Sequence, residues 1–262
     1  MRLKVNGIEI NYEFTGKSDG PVVVLSHSLG SSLVNWNLQV EALEPHFRVL
    51  RYDTRGHGGT EAPPGPYTFD LLAWDVTGLL KALKIEKVHF VGLSMGGMIG
   101  QCLALYHRPL LRSLVLCDTA AVVPAEAQPV WQERIDLARR QGLQALLDQT
   151  MERWFTPEFL KQNPPILSTI NKQFLATPLE GYVGCGEAIR NLNYIDRLSE
   201  IGLPTLIIVG EDDPATPVAA SRAIHGRIAQ SKLVILPSAR HLNNVERAGE
   251  FNAVLMRFLK EQ

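Results

Sequence analysis

The stretch Val88-His89-Phe90-Val91-Gly92-Leu93-Ser94-Met95-Gly96-Gly97 reads as an apolar β-strand that ends in G-x-S-x-G and passes into a helix. The pattern is that of a nucleophile elbow, a sharp strand-to-helix turn that holds a serine hydroxyl proud of the sheet. Gly92 and Gly96 flank the serine because side chains there would block the tight backbone approach that such a turn needs. The pentapeptide alone carries little weight, since glycine and serine are common. Here an apolar strand precedes it and a helical stretch, 98–107, follows, which makes Ser94 the candidate nucleophile.

Outward from the elbow, short continuous apolar runs recur at 22–25, 49–52, 114–117, 206–209 and 233–236, as buried parallel strands do. The chain opens differently, with alternating residues 3–5 and 8–14 around an Asn6-Gly7 hairpin turn. Thr68 can cap a helix running to about residue 84, whose Leu72, Val76, Leu79, Leu80 and Leu83 share one face. Strands alternating with helices predict an α/β fold with a mostly parallel central sheet flanked by helices. Residues 118–204 are far more than one crossover helix needs. Periodic pieces at 131–140 and 143–154, punctuated by Pro157, Pro164, Pro165 and Pro178, predict an inserted helical lid. The expected organisation is therefore a core domain of residues 1–120 and 200–262 with a helical cap of residues 121–199.

Composition narrows the function classes. With 262 residues and 45% hydrophobic content the chain can bury a sizeable core. The 26 basic residues balance 27 acidic ones without forming a stripe, so nucleic acid is not an expected partner. Cys102, Cys117 and Cys185 form no C-x-x-C pair, which fits a reducing cytoplasm. No apolar run long enough to span a bilayer is present, and the N-terminus lacks a signal-peptide core, so a cytoplasmic protein without a membrane partner is expected. No feature of the chain specifies an oligomeric state.

A serine hydroxyl near neutral pH needs a base within hydrogen-bond reach and a carboxylate to orient that base. With this type of elbow the acid and then the histidine follow in chain order, each after its own strand. After strand 205–209 comes Gly210-Glu211-Asp212-Asp213-Pro214, and after strand 233–236 comes Pro237-Ser238-Ala239-Arg240-His241. The roles assigned are Ser94 as nucleophile, His241 as general base and then acid, and Asp213 as the carboxylate that fixes the imidazole. Asp212 and Asp118 remain rivals for the acid. Backbone amides should receive the developing oxyanion: Met95 N–H, directly after the nucleophile, and Leu29 N–H in the loop Ser26-His27-Ser28-Leu29-Gly30-Ser31. His27 is expected to brace that loop.

Other groups read as structural. His46, His57, His89, His107 and His225 lack the spacing of metal ligands, and no metal is expected. In Asp53-Thr54-Arg55-Gly56-His57-Gly58 we expect a structural turn whose Asp53 and Arg55 satisfy the loop backbone and each other. Neither G-x-G-x-x-G nor a Walker lysine is present, which sets nucleotide binding aside. Cys102, behind the elbow, reads as a small core residue.

The elbow, the Asp213 loop and His241 together resemble the α/β-hydrolase superfamily over the whole chain. Narrower features resemble the 3-oxoadipate enol-lactonases: Ser28-Leu29-Gly30, the run 48–58, Arg153-Trp154-Phe155-Thr156, and Gly181-Tyr182-Val183-Gly184-Cys185 with Glu187-Ala188-Ile189-Arg190. The resemblance implies hydrolysis of a small-molecule ester or lactone through an acyl-enzyme, with no cofactor. The natural enol-lactone bears a carboxylate, for which an apolar pocket needs a cation. Arg190 is the candidate, with Arg134 behind it. The lid also supplies Trp131, Trp154, Phe155, Phe159, Ile166, Ile170, Phe174 and Leu175, about half of which should pack the lid itself. A perhydrolase or haloperoxidase, a carbon–carbon bond hydrolase, an acyltransferase and a receptor-like ligand binder share these motifs and stand as alternatives.

Overall fold

The first two strands, β1 (Arg2–Val5) and β2 (Ile8–Gly16), form the expected hairpin, with Asn6 and Gly7 both at positive φ (52° and 85°) as its two-residue turn requires. A computed structural model covers residues 1–262. Beyond the hairpin lie β3 (Val22–Ser26), α1 (Asn37–Leu43), β4 (Arg48–Tyr52), α2 (Phe69–Ala82), β5 (Val88–Leu93), α3 (Met95–Tyr106) and β6 (Leu111–Cys117). Five helices then intervene: α4 (Gln128–Gln141), α5 (Leu147–Trp154), α6 (Pro157–Gln162), α7 (Pro165–Ala176) and α8 (Leu179–Arg190). The chain closes with β7 (Thr205–Gly210), α9 (Val218–His225), β8 (Ser231–Leu236), α10 (Asn243–Glu246) and α11 (Ala248–Lys260).

The strands form one eight-stranded sheet in the order β1-β2-β4-β3-β5-β6-β7-β8, antiparallel at the β1-β2-β4 edge and parallel from β4 to β8. β3, β5 and β7 are buried at every position because helices cover both faces, which explains their unbroken apolar runs. Register places the site. Ser26 pairs with Gly92, Leu93 with Cys117, Cys117 with Ile208 and Gly210 with Leu236. The C-terminal ends of five strands are therefore level, and the loops that leave them lie side by side on one rim.

Two helices differ from their sequence limits for local reasons. Thr68 caps α2 as expected, its hydroxyl accepting from Leu71 N–H at 3.2 Å, but the helix ends at Ala82 because Lys84 takes φ of 56°. α3 begins at Met95 rather than three residues later, because Ser94 at φ 53° redirects the chain within a single residue.

Asp53 and Arg55 do not satisfy each other. Asp53 accepts the amides of Leu33 at 2.7 Å and Gly59 at 2.8 Å and the side chain of Asn11 at 2.7 Å. Arg55 reaches instead to Asp75 on α2, with Nε–Oδ2 2.7 Å and Nη2–Oδ1 2.8 Å. Both partners of that fork are buried, and removing one from such a pair costs about 3–5 kcal/mol. It ties the 53–60 loop to a helix beneath the sheet, a pairing that chain proximity could not reveal.

The helices α4 to α8 lie over the rim and share its core: a single cluster of 71 buried apolar residues runs from the sheet through Phe155, Phe174 and Tyr182. At one point they meet the sheet's loops backbone to backbone. A Cβ on Gly181 of α8 would lie 1.8 Å from Gly56 O, and one on Gly56 would lie 2.3 Å from Gly181 Cα. Leu242 N–H, beside His241, donates to Trp154 O at 3.0 Å and anchors the end of α5. No helix is long and apolar enough to cross a membrane.

Candidate active site

Ser94 occupies the turn between β5 and α3 at φ 53°, ψ −113°, a conformation that is strained for a residue with a Cβ. Neighbouring bonds hold it there: its N–H donates to Cys117 O at 2.8 Å, and its carbonyl accepts Thr119 Oγ1 at 2.7 Å. The flanking glycines are sterically required. A Cβ at Gly92 would fall 2.2 Å from Gly96 O, and one at Gly96 would fall 2.1 Å from Ser26 O.

Asp213 and His241 come from the loops after β7 and β8. His241 Nδ1 donates to Asp213 Oδ2 at 2.8 Å, which leaves Nε2 as the ring nitrogen not engaged by the acid. Three more donors meet the same carboxylate: Ala215 N–H at 2.7 Å, Thr216 N–H at 3.2 Å and Thr216 Oγ1 at 2.6 Å. Burial alone would push the Asp213 carboxyl up, but the His241 charge and hydrogen bond, with the Thr216 and Ala215 donors, outweigh it and hold Asp213 below the usual carboxylate value.

The two rivals separate clearly. Asp212 is exposed. Asp118 is fully buried at the end of β6 and takes only one donor, Gly210 N–H at 2.8 Å, while its Oδ2 has no partner. Burial, and then the Asp213 charge, push the Asp118 carboxyl well above its usual value, so this group is the neutral member of the pair. Atoms of Asp118, Asp213 and His241 lie within 4.8 Å of one another, close enough to share a cation. Nδ1 of His241 carries a proton that it donates to Asp213, however, so it offers no lone pair to a metal.

Two histidines pin the neighbouring loop. His27 Nδ1 donates to Ser28 O at 2.8 Å and its Nε2 accepts Thr54 N–H at 2.9 Å. His57 Nε2 accepts Gly30 N–H at 3.0 Å. Burial lowers His27 to about 4 and His57 to about 3, so both remain neutral acceptors at physiological pH. Between these braces the Leu29 amide donates to no protein group, and at the head of α3 the Met95 amide is likewise unused in the turn and loop bonding.

Ser94 and His241 line one cavity of about 60 Å³. No hydrogen bond joins Ser94 Oγ to His241 Nε2; catalytic contacts of this kind commonly tighten only when substrate is bound. Ser28, Leu29, Met98, Ala215 and Thr216 complete the lower wall. The upper wall comes from the helices: Trp131 and Arg134 of α4, Thr150, Arg153 and Trp154 of α5, and Ile189 of α8. Of the eight apolar lid residues singled out from sequence, only Trp131 and Trp154 reach the cavity, while Phe155 and Phe174 are wholly buried in the helical layer.

The structure does not bring Arg190 to this cavity. Arg190 pairs with Glu187 at 2.8 Å on an outer groove, because its neighbour Ile189 takes the inward position and adjacent helical residues point about 100° apart. Arg153 stands there instead. It has no ion pair or hydrogen bond, and burial with the nearby Arg134 charge holds its guanidinium below the usual value. Arg134 contacts no carboxylate either: Nε donates to Tyr182 Oη at 2.6 Å and Nη2 to Thr150 Oγ1 at 2.9 Å. The sequence did hold a signal for Arg153, since Thr150, Arg153 and Trp154 follow the i, i+3, i+4 spacing of one helix face.

A family model described as alpha/beta hydrolase fold matches residues 21–248. The chain is 37% identical over 260 residues to 3-oxoadipate enol-lactonase 2 of Acinetobacter baylyi, covering 98% of this chain and 96% of that protein. Among solved structures, the enol-lactonase from Burkholderia xenovorans LB400 superposes with a TM-score of 0.96 at 42% identity, covering 99% of this chain and 100% of that one. A hydrolase from Pseudomonas aeruginosa PA01 gives 0.95 at 37% identity, with coverage of 99% and 97%.

Proposed function

We propose, from the premise that this chain belongs to the alpha/beta hydrolase family, that it hydrolyses a small lactone or ester bearing a carboxylate, with 3-oxoadipate enol-lactone as the leading substrate. The observation that carries the reading is one cavity holding Ser94, the Asp213-oriented His241 and two arginines with no carboxylate partner. Ser94 Oγ attacks the carbonyl carbon while His241 Nε2 takes its proton, and the oxyanion falls to the amides of Leu29 and Met95. Collapse breaks the bond to the leaving oxygen, which takes the proton from His241. In a lactone this oxygen stays attached to the acyl chain. Water, deprotonated by the same imidazole, then releases the acid and restores Ser94.

Helices α4 to α8, within the proposed cap of residues 121–199, supply selection in this scheme. Trp131 and Trp154 cover the apolar part of the substrate, and Arg134 and Arg153 meet its carboxylate. A cavity this small favours a short acyl group. Three buried free thiols support the proposed cytoplasmic setting.

The test is turnover of enol-lactone and of short p-nitrophenyl esters by the parent chain and by Ser94→Ala. The variant should lose at least about 10³-fold in kcat while keeping its melting temperature. Full activity in a folded Ser94→Ala protein would overturn the mechanism.

A further inference from the structure

Apart from the proposed nucleophile Ser94, the hydroxyls of the cavity are, with one exception, already engaged. Thr150 accepts from Arg134, and Thr216 donates to Asp213. Ser28 differs. It is 1% exposed, lines the same cavity as Ser94 and His241, and its Oγ has no hydrogen-bond partner. Its carbonyl, by contrast, is used twice, by His27 Nδ1 at 2.8 Å and by Ser31 N–H at 3.3 Å. The backbone of this residue is thus fixed without help from the hydroxyl.

A buried hydroxyl without a partner is destabilising, and the group finds an acceptor here only when something occupies the cavity. Ser28 directly precedes Leu29, whose amide is free, whereas the two arginines project from the opposite wall. We propose that Ser28 Oγ–H is a third hydrogen-bond donor to the reacting carbonyl oxygen, beside the amides of Leu29 and Met95. The inference rests on the acyl-transfer reading above. No proton moves from Ser28: its O–H bond stays intact, and the hydroxyl rotates to follow the oxygen as it changes from planar carbonyl to tetrahedral oxyanion. The bond strengthens as negative charge collects on that oxygen, so its effect falls on kcat.

Ser28→Ala separates this role from a structural one. The expected result is a fall in kcat of about 10²-fold on enol-lactone and on neutral p-nitrophenyl esters alike, with KM within about threefold. The melting temperature should be unchanged or higher, because a methyl replaces an unpaired hydroxyl. Ser28→Thr, which keeps the hydroxyl, should recover part of the lost kcat. Parental kcat in Ser28→Ala overturns the proposal, as does a rise in KM at constant kcat. A collapse of stability or failure to fold overturns it too, because it would assign the hydroxyl to the fold. Ser94→Ala measured alongside keeps the two readings apart. If Ser94→Ala is inactive and Ser28→Ala is not impaired, only the third donor falls; if Ser94→Ala is active, the mechanism beneath it falls.

Discussion

On the sheet rim Asp213 meets His241 at 2.8 Å and Arg55 meets Asp75 at 2.7 Å, whereas in the helical layer above them Arg134 touches only two hydroxyls and Arg153 touches no polar partner. Both regions bury charge, yet they handle it in opposite ways. On the rim each ionised group is matched when the chain folds, and burial, then the charge of Asp213, push the Asp118 carboxyl beside them well above its usual value. In the layer above, neither arginine has a carboxylate partner. On the proposed reading the contrast is a division of labour: the rim is assembled for proton transfer before substrate arrives, and the helices are assembled to choose which substrate stays.

Removing the rim's charge should have the largest effect. Asp213→Asn is expected to lower kcat by about 10³–10⁴-fold with the fold intact, because the imidazole loses the partner that fixes its tautomer. Retained turnover would move the acid to Asp118 or Asp212 and erase the contrast between the two buried carboxyls. A smaller and selective loss is expected from the helical layer. Arg153→Ala should lower kcat/KM on a carboxylate-bearing lactone by about 10–10²-fold, the size of a hydrogen bond to a charged group, while neutral esters stay within a few-fold. Arg190→Ala, on the outer groove, should leave both substrates nearly unchanged. Equal losses on both substrates in Arg153→Ala would show that this arginine holds the layer together rather than reading charge.

On the rim the smallest change in activity is expected at Asp118. Asp118→Asn replaces a neutral acid with a neutral amide, so kcat should stay within a few-fold of the parent. Its signature lies in stability. The folded carboxyl keeps its proton well above the ordinary value of 3.8, so the parent's favourable contribution is present below that pH and is lost as pH rises above it. The asparagine variant escapes that loss, and its melting temperature relative to the parent should climb as the pH is raised above about 4. A constant difference across that range would mean that Asp118 holds no such proton.

Much of the rim was readable from local pattern. Unbroken apolar runs marked the parallel strands, the glycines around Ser94 marked the elbow, and His241 and Asp213 each followed its own strand. These signals span a few residues and depend on sterics and period, which the chain carries locally. What escaped depends on distance. Arg55 finds Asp75 only because α2 packs beneath its loop, and Arg153 displaces Arg190 from the cavity only because of how α5 and α8 are rotated over the rim. Asp118 could be named as a rival acid but not set aside, since its raised carboxyl follows from burial and from the nearness of Asp213, both of which exist only in three dimensions. Ser28 stood in a loop valued for its amides, and nothing in the string marks a hydroxyl as unpartnered.

Gly56 and Gly181 meet where no side chain fits, so the helical layer is seated on the sheet through bare peptide. Anyone recombining this chain with a relative, exchanging everything between β6 and β7, inherits that constraint: both residues must remain glycine. A methyl at either would wedge α8 off the 53–60 loop and carry Ile189 with it. The cavity would change depth while Ser94, Asp213 and His241 kept their places. Substrate scope could then drift through two residues that perform no chemistry.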